Sequence, residues 1–287
     1  MNKELPTFVR SDSYSGPSAL ARQKKTPFYH RFFLDKPSKE AGGSREHFYH
    51  FLIGYLLPLV HAQSQYRFKR FLALDCGPLM SPILHDTLTR LGYDFSLVQP
   101  NAIERPVFLD SWDHGWSEGV GENSVRNAQS LIRHAWRSYD CPSDHCPRSE
   151  NILIRRSSPH EFYHDGRSEI AGYGTSRRGI TNLQEVSDFL TSNGVHHSIY
   201  EPGAHCLGCQ IETFRTSRRI LGFRGAEWAN LIWSTPDVQV RMLDANPPAK
   251  LIGSFMSRLN IKHGFAVVDT PHSPEDPKEA LRFFNTK

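Results

Sequence analysis

The sequence predicts an α/β protein built as two Rossmann-like lobes, and three observations carry that prediction. Short apolar runs alternate with amphipathic stretches of helical length in both halves of the chain. A polar segment, "DCPSDHCPRSE", separates the halves, and no repeat of fixed period or low-complexity tract competes with this reading. Alternation of this kind builds parallel sheets, because each parallel connection needs a crossover long enough for a helix.

The elements follow in order. Residues 1–43 are rich in Ser, Pro, Lys and Arg without a clear period and read as an irregular arm. From Ser44, which reads as an N-cap, Phe48, Phe51, Leu52, Tyr55, Leu56 and Leu59 recur at helical spacing, and Pro58 predicts a kink or an end to the regular part. "RFLALD", the helical "MSPILHDTLTRLGY" and the strand-like "FSLVQP" then give a β-α-β rhythm. "VFLD" is a further strand, "SWDHGWSEGVGENS" a loop, and "VRNAQSLIRHAWRSY" an amphipathic helix that closes a first lobe over 44–140.

After a linker at 141–150, a second lobe over 151–287 opens with the strand "NILIRR" and a Gly-, Ser- and Arg-rich loop reaching about residue 180. Then come helix "NLQEVSDFLTSNG", strand "VHHSIYEP", helix "LGCQIETFRTS", strand "RRILGF", helix "GAEWANLIW" and strand "VQVRML".

Composition narrows the function. Hydrophobic residues at 38% and charged residues at 22% are those of an ordinary globular protein. A net charge of +4 favours anionic partners only mildly and makes a dedicated nucleic-acid binder a poor expectation. No secretory signal opens the chain, and its most apolar stretch, "FYHFLIGYLLPLVHA", is broken by His50, Pro58 and His61, so no membrane span is expected. Five cysteines cannot all pair within one chain, which fits a reducing compartment, with the cytoplasm as the default. "YRFKRF" interleaves aromatic and basic residues as a peripheral membrane or single-strand contact would, while its plainer reading is a helix end entering a strand. Cys141, His145 and Cys146 form one candidate zinc cluster and His205, Cys206 and Cys209 another, though only the second contains a C-x2-C pair; idle thiols are the alternative.

The stretch "GFRGAEWAN" at 222–230 carries most of the chemistry. A loop between strand and helix in a parallel sheet lies at the carboxyl end of the strand, where anions bind. Gly222 and Gly225 would let backbone approach a ligand, and Arg224 would meet phosphate with a planar set of donors; equally, the glycines make a tight β-to-α turn.

Taken with "ILIRR", "SRRGITNLQEV", Gln210 and "VRMLDANP", this stretch resembles the C-terminal half of glycosyltransferase family 61 in order and spacing. The family shows an arginine after the first strand, R-x-I-x-N-x-x-E, a lone helical Gln, G-x-H-G-A-G-L-x-N, and an acidic residue three before a proline. The matching positions are Arg155, Arg178, Ile180, Asn182, Glu185, Gln210, Gly222, Gly225, Ala226, Asn230, Asp244 and Pro247, with His50 matching the histidine of an aromatic N-terminal helix. The resemblance spans about residues 44–250. In the glycine motif the family histidine is Arg224 here, the following Gly is Glu227 and the Leu is Trp228; an acidic residue often found four after the helix histidine is Gly54.

The resemblance implies a two-lobed GT-B transferase with a nucleotide-sugar donor in the C-terminal lobe, a glycan or lipid-linked acceptor at the N-terminal lobe, and inversion at the anomeric carbon. Peripheral contact with the inner membrane would suit a lipid-linked acceptor, and surface-polysaccharide synthesis is the expected setting. Such a displacement needs positive groups for the departing diphosphate, for which Arg155, Arg178 and Arg224 are suited, so no metal is required. It also needs a base, for which His50, Glu227 and Asp113 are candidates, with Asp110 and His114 beside the last. Asn182, Glu185, Gln210, Gly222, Gly225, Ala226, Asn230 and Asp244 are expected to contact donor as well. Asn182 and Glu185 also read as a helix cap with its capping-box partner, and Gln210 also reads as part of a solvated helix face.

Overall fold

The computed structural model describes residues 6–10, 45–99, 106–109, 112, 121–137, 146–147, 149–156, 164–165, 168–169, 178–244, 259, 262–268 and 272–285. The chain is a mixed α/β protein that divides into two compact units, Met1–Ser138 and Tyr139–Lys287. The division falls beside the stretch 141–150 read as a linker.

The first unit is built on a parallel sheet of β1 (Thr7–Arg10), β2 (Phe71–Leu74), β3 (Phe95–Val98) and β4 (Pro106–Leu109), in the order β3-β2-β1-β4. The placement of β1 corrects the expected arm. Thr7 pairs with Leu72 on one side and Pro106 on the other, so these residues form an inner strand. "TFVR" has the β-branched and aromatic composition of a strand, but four residues in a polar, proline-rich context give no period to detect.

A long helix follows in three parts: α1 (Phe48–Phe51), a π-helical segment (Leu52–Leu56) and α2 (Leu57–Tyr66). Pro58 explains the widening. It has no N–H to donate to the preceding turn, and its ring would crowd a normal α-carbonyl. Leu57 N–H instead reaches back to Leu52 O, and the helix continues past the proline without ending. The same segment places the buried Tyr55 hydroxyl to accept from Leu74 N at 2.6 Å, fastening helix to β2. Burial raises the Tyr55 pKa well above its ordinary value. Arg67 ends α2 in the left-handed region (φ 51°), so "YRFKRF" is a helix end leading into β2. The unit is completed by α3 (Gly77–Arg90) and α4 (Glu122–Trp136), joined through Trp136 Nε1, which donates to Thr87 Oγ1 at 3.2 Å.

The second unit has a five-stranded parallel sheet of β5 (Asn151–Ile154), β9 (Ser198–Tyr200), β10 (Arg219–Phe223), β11 (Gln239–Asp244) and β12 (Lys262–Val267), ordered β12-β11-β10-β5-β9. Two small two-stranded sheets accompany it: β6 (His164–Asp165) with β7 (Ser168–Glu169), and β8 (Gly179–Ile180) with β13 (His272–Ser273). Numbered within the unit, the large sheet follows the 2-1-3-4-5 order of doubly wound folds.

The helices are α5 (Leu183–Ser192), α6 (Leu207–Thr216) and α7 (Pro277–Asn285). Leu153, Leu221, Phe223 and Leu243 of the sheet pack with Val186 and Leu190 of α5 and Ala280 and Phe284 of α7. A 3-10 helix, Pro202–Ala204, precedes α6, and the segment Ala226–Trp233, expected as a helix, is helical in the 3-10 form. Its length fits its load: Trp228, Ala229, Asn230, Leu231, Ile232 and Trp233 are all buried, and a 3-10 turn of about 2.0 Å per residue spreads them along the fold.

Candidate functional site

In the second unit the chain crosses from β5 to β9 on one side and from β10 to β11 on the other. The crossovers leave in opposite directions, so the carboxyl ends of β5 and β10 form a topological switch point, the place where doubly wound folds bind ligands in a crevice. Arg155 and Arg156 follow β5 at this point, and Arg224, Gly225 and Ala226 follow β10.

Two ion pairs lie at this switch point. Arg224 Nε lies 2.7 Å from Asp244 Oδ2 at the end of β11, with the side chains 16% and 4% exposed. The contact is ionic without the alignment of a hydrogen bond. Arg156 Nε donates to Glu227 Oε1 at 3.0 Å, both side chains being 15% exposed. Among the described residues, the closest approach of each guanidinium to its carboxylate is through Nε, and no hydrogen bond engages its terminal Nη groups. Two donor forks of nearly equal burial therefore sit at the ends of adjacent strands.

Gly225 makes this arrangement fit. Its backbone is extended (φ −165°) and open to any residue, but a Cβ there would fall 2.0 Å from Glu227 Oε2 and 2.9 Å from Arg156 Cζ and Nε. Gly222 is needed for a different neighbour, since its Cβ would lie 2.8 Å from Ile154 Cβ and 3.4 Å from Trp228 Cζ2. Trp228 Nε1 donates to Phe223 O at 2.7 Å and pins the turn between β10 and the 3-10 segment.

Of the residues singled out in the sequence, Arg155, Gly222, Arg224, Gly225, Ala226, Glu227 and Asp244 gather at this strand edge. Arg155 is exposed and gives its backbone N–H to Tyr200 O at 2.8 Å. Gln210 and Asn230 sit behind the site. Asn230 Nδ2 donates to Gln210 Oε1 at 2.8 Å and Gln210 Nε2 to His205 O at 2.9 Å, which joins α6 to the 3-10 segment. Gln210 is 3% exposed, so the solvated-face reading gives way to a buried bond.

Asn182 and Glu185 belong to another cluster. Asn182 occupies the N-cap position of α5 without a side-chain cap bond; its amide instead accepts from Glu275 N at 2.9 Å and donates to Glu275 O at 3.0 Å. Asn182 Nδ2 also donates to Glu185 Oε2 at 3.1 Å, in place of the backbone contact of a capping box. Glu275, only 4% exposed, accepts from Arg241 Nε at 2.9 Å. Burial raises its carboxyl pKa, and Arg241 opposes that shift. Arg178 precedes β8 on the small sheet with β13 rather than following a strand of the large one.

The candidate bases divide. Glu227 is spent on Arg156, and its Oε2 is buried without a hydrogen bond. His50 lies in the first unit, on α1, with the Tyr49 ring edge-on at 5.2 Å and His47 at 6.2 Å. Asp113 lies outside the described residues, as do Asp110, His114 and Pro247.

In the first unit, Asp75 at the end of β2 accepts from Gly77 N, Ser81 Oγ and Gln99 Nε2 at 2.7–2.8 Å, and Arg45 Nε donates to its backbone carbonyl at 2.8 Å. These bonds organise the start of α3.

The cysteines pair where zinc was considered. Cys146 and Cys209 form a disulfide with Cα atoms 5.7 Å apart, which removes one thiol from each candidate zinc cluster. Cys141 and His145 lie outside the described residues, and among those described no three His, Cys, Asp or Glu residues are grouped to hold a metal. The bridge also removes the support that an odd cysteine count gave to a reducing compartment. No helix among the described residues is long and apolar enough to cross a membrane.

Arg156 is the site residue that sequence reasoning passed over. The "RR" after β5 offered two candidates, and only the carboxylate at Glu227, where a glycine was expected, signalled that one of them has a buried counter-ion. Compared with known proteins, the chain matches no family model and no curated protein.

Proposed function

We propose that the second unit binds the diphosphate of a nucleotide sugar at the β5/β10 crevice, and that the protein is an inverting glycosyltransferase acting on a glycan or other hydroxyl acceptor. One observation carries this reading: Arg156 and Arg224 follow the adjacent strands β5 and β10 at the switch point of a doubly wound sheet, each paired to a carboxylate through Nε and, among the described residues, with no hydrogen bond from its Nη groups. Guanidinium forks bind phosphate oxygens in a bidentate way, and held in place they stabilise the charge that grows on a departing diphosphate.

In this scheme Arg156, Arg224 and the exposed Arg155 receive the diphosphate. Asp244 and Glu227 orient the two inner guanidinium groups, and Gly225 leaves room for them. Gln210 and Asn230 hold the 3-10 segment in place behind them. The GT-B arrangement, with the first unit on the acceptor side and His50 as its candidate base, rests on the resemblance to glycosyltransferase family 61.

A second reading is favoured by Glu227. In place of the family's glycine it neutralises Arg156, and the departure leaves the crevice with two carboxylates against two inner guanidinium groups. A protein that binds nucleotide without transferring sugar would fit this balance. A thermal-shift panel of UDP-, GDP-, CMP- and dTDP-sugars tests binding, because a ligand of the native state raises its melting temperature. Donor hydrolysis measured on any ligand found then separates the readings. Stabilisation with slow hydrolysis supports the transferase, stabilisation without turnover the binding protein, and no stabilisation across the panel removes both.

A further inference from the structure

We propose that Cys206, Cys209 and Cys146 form a thiol–disulfide exchange relay, in which the Cys206 thiol takes Cys209 over from Cys146. Three features meet on the first turn of α6. Cys209 is 1% exposed and already bonded to Cys146. Cys206 is free and partly exposed at the N-cap. Its Sγ accepts from Cys209 N at 3.4 Å, so a free thiol is held against the backbone of the residue whose sulfur is in the disulfide.

Cys206 caps α6 through this bond, but capping does not account for a cysteine at the position. N-caps are ordinarily Ser, Thr, Asp or Asn, whose oxygens accept far better than sulfur. Nor does an idle buried thiol, which describes Cys76 instead: it is fully buried and donates to Leu74 O at 3.4 Å. Cys206 has the exposure that exchange requires, and the C-x-x-C spacing places the two sulfurs on one helical turn.

The step balances without an added oxidant or reductant. Cys206 loses its proton to water, and the thiolate attacks Cys209 Sγ. A Cys206–Cys209 bond forms as the Cys146–Cys209 bond breaks, and the electron pair leaves on Cys146, which takes up a proton. One disulfide is present before and after. Its span changes, because the present bridge joins residues 63 apart in sequence and the new one closes a single turn. Release of Cys146 frees the segment leading into β5. The neighbouring Gln210 carries the change toward Asn230 and the 3-10 segment that holds Glu227. The relay stands on the cysteines alone and does not depend on the diphosphate reading.

The test uses the full chain in a Cys141→Ser background, so that a thiol freed before β5 belongs to Cys146. The protein is oxidised with oxidised glutathione, freed of it, incubated at mildly acid or mildly alkaline pH, quenched with acid, alkylated and mapped by mass spectrometry. The relay predicts both linkages in one population, with Cys146 labelled wherever Cys206–Cys209 is joined and the two forms interconverting faster at alkaline pH. Adding Cys206→Ser should abolish Cys146 labelling. Mapping of the parent background needs no change within the relay, so it decides even where the serine variant does not fold. A sole Cys146–Cys209 linkage at every pH, with Cys206 always labelled, would overturn the proposal, and so would failure of Cys146 and Cys209 to join.

Discussion

The guanidinium of Arg224 and the carboxylate of Asp244 meet at 2.7 Å across the ends of neighbouring strands β10 and β11. Asp244 is 3% exposed, so Arg224→Ala removes the cation from a buried carboxylate. The expected loss of stability is roughly 2–4 kcal/mol, below the top of the range for buried pairs because Arg224 keeps 16% of its surface in water. Denaturant unfolding checks this, and Arg224→Ala with Asp244→Asn should recover most of the loss. An additive loss in the double variant would mean that the two residues contribute independently.

The two glycines of the turn should respond differently to alanine. At Gly225 the added Cβ meets the mobile ends of Glu227 and Arg156, and at Gly222 it meets Ile154 Cβ at 2.8 Å, close to the backbone. Both substitutions should cost about 1–3 kcal/mol, as overpacking does. Glu227→Ala should restore much of the loss in Gly225→Ala and none in Gly222→Ala. Melting temperatures of the four variants decide the point, and equal rescue of both would show that the clash does not lie with Glu227.

Glu227 holds a place beside Arg156 where a ligand anion would sit. Glu227→Gln keeps the shape and removes the negative charge. Loss of one nearby repulsion, about 1 kcal/mol at contact distance in a water-like dielectric, predicts roughly a fivefold gain in pyrophosphate affinity. Calorimetric titration of the variant against the parent measures it, and weaker binding would mean that Glu227 positions Arg156 more than it competes.

Much of the second unit was legible in the sequence. The strands "NILIRR" and "RRILGF" and the helices between them stand out because buried parallel strands and amphipathic helices leave strong, different periods. The last third of this unit was less so, yet α7 has a plain signal: Asp276 accepts from Lys278 N at 2.8 Å, Pro277 follows as the first helical residue and Glu279 stands in the first turn. Glycine placement and Arg224 marked the site, but its counter-ions could not be read. Asp244 and Glu227 reach their partners only through strand neighbours far apart in sequence, and the Asn182–Glu275 latch joins residues 93 positions apart.

The carboxyl of Glu275, whose backbone forms that latch, carries a pH dependence with a defined sign. Burial pushes the Glu275 carboxyl pKa up, against the opposing pull of Arg241. A carboxyl raised in the folded state contributes stability below its unfolded pKa and loses it as pH rises through the folded value. The parent should therefore gain stability relative to Glu275→Gln as pH falls from neutral through the carboxyl range. Urea midpoints across that range give the slope, and the opposite slope would show that attraction to Arg241 outweighs burial.

The most direct measurement is titration of inorganic pyrophosphate into the parent chain and into an Arg156→Lys, Arg224→Lys variant. Lysine keeps both charges and both carboxylate partners, while it removes the paired Nη donors. If those donors cradle a diphosphate, the parent binds and the folded variant binds at least about tenfold more weakly, the loss of roughly one charge-assisted hydrogen bond. Equal affinity in the two chains, or no binding by the parent, would contradict the assignment of this crevice.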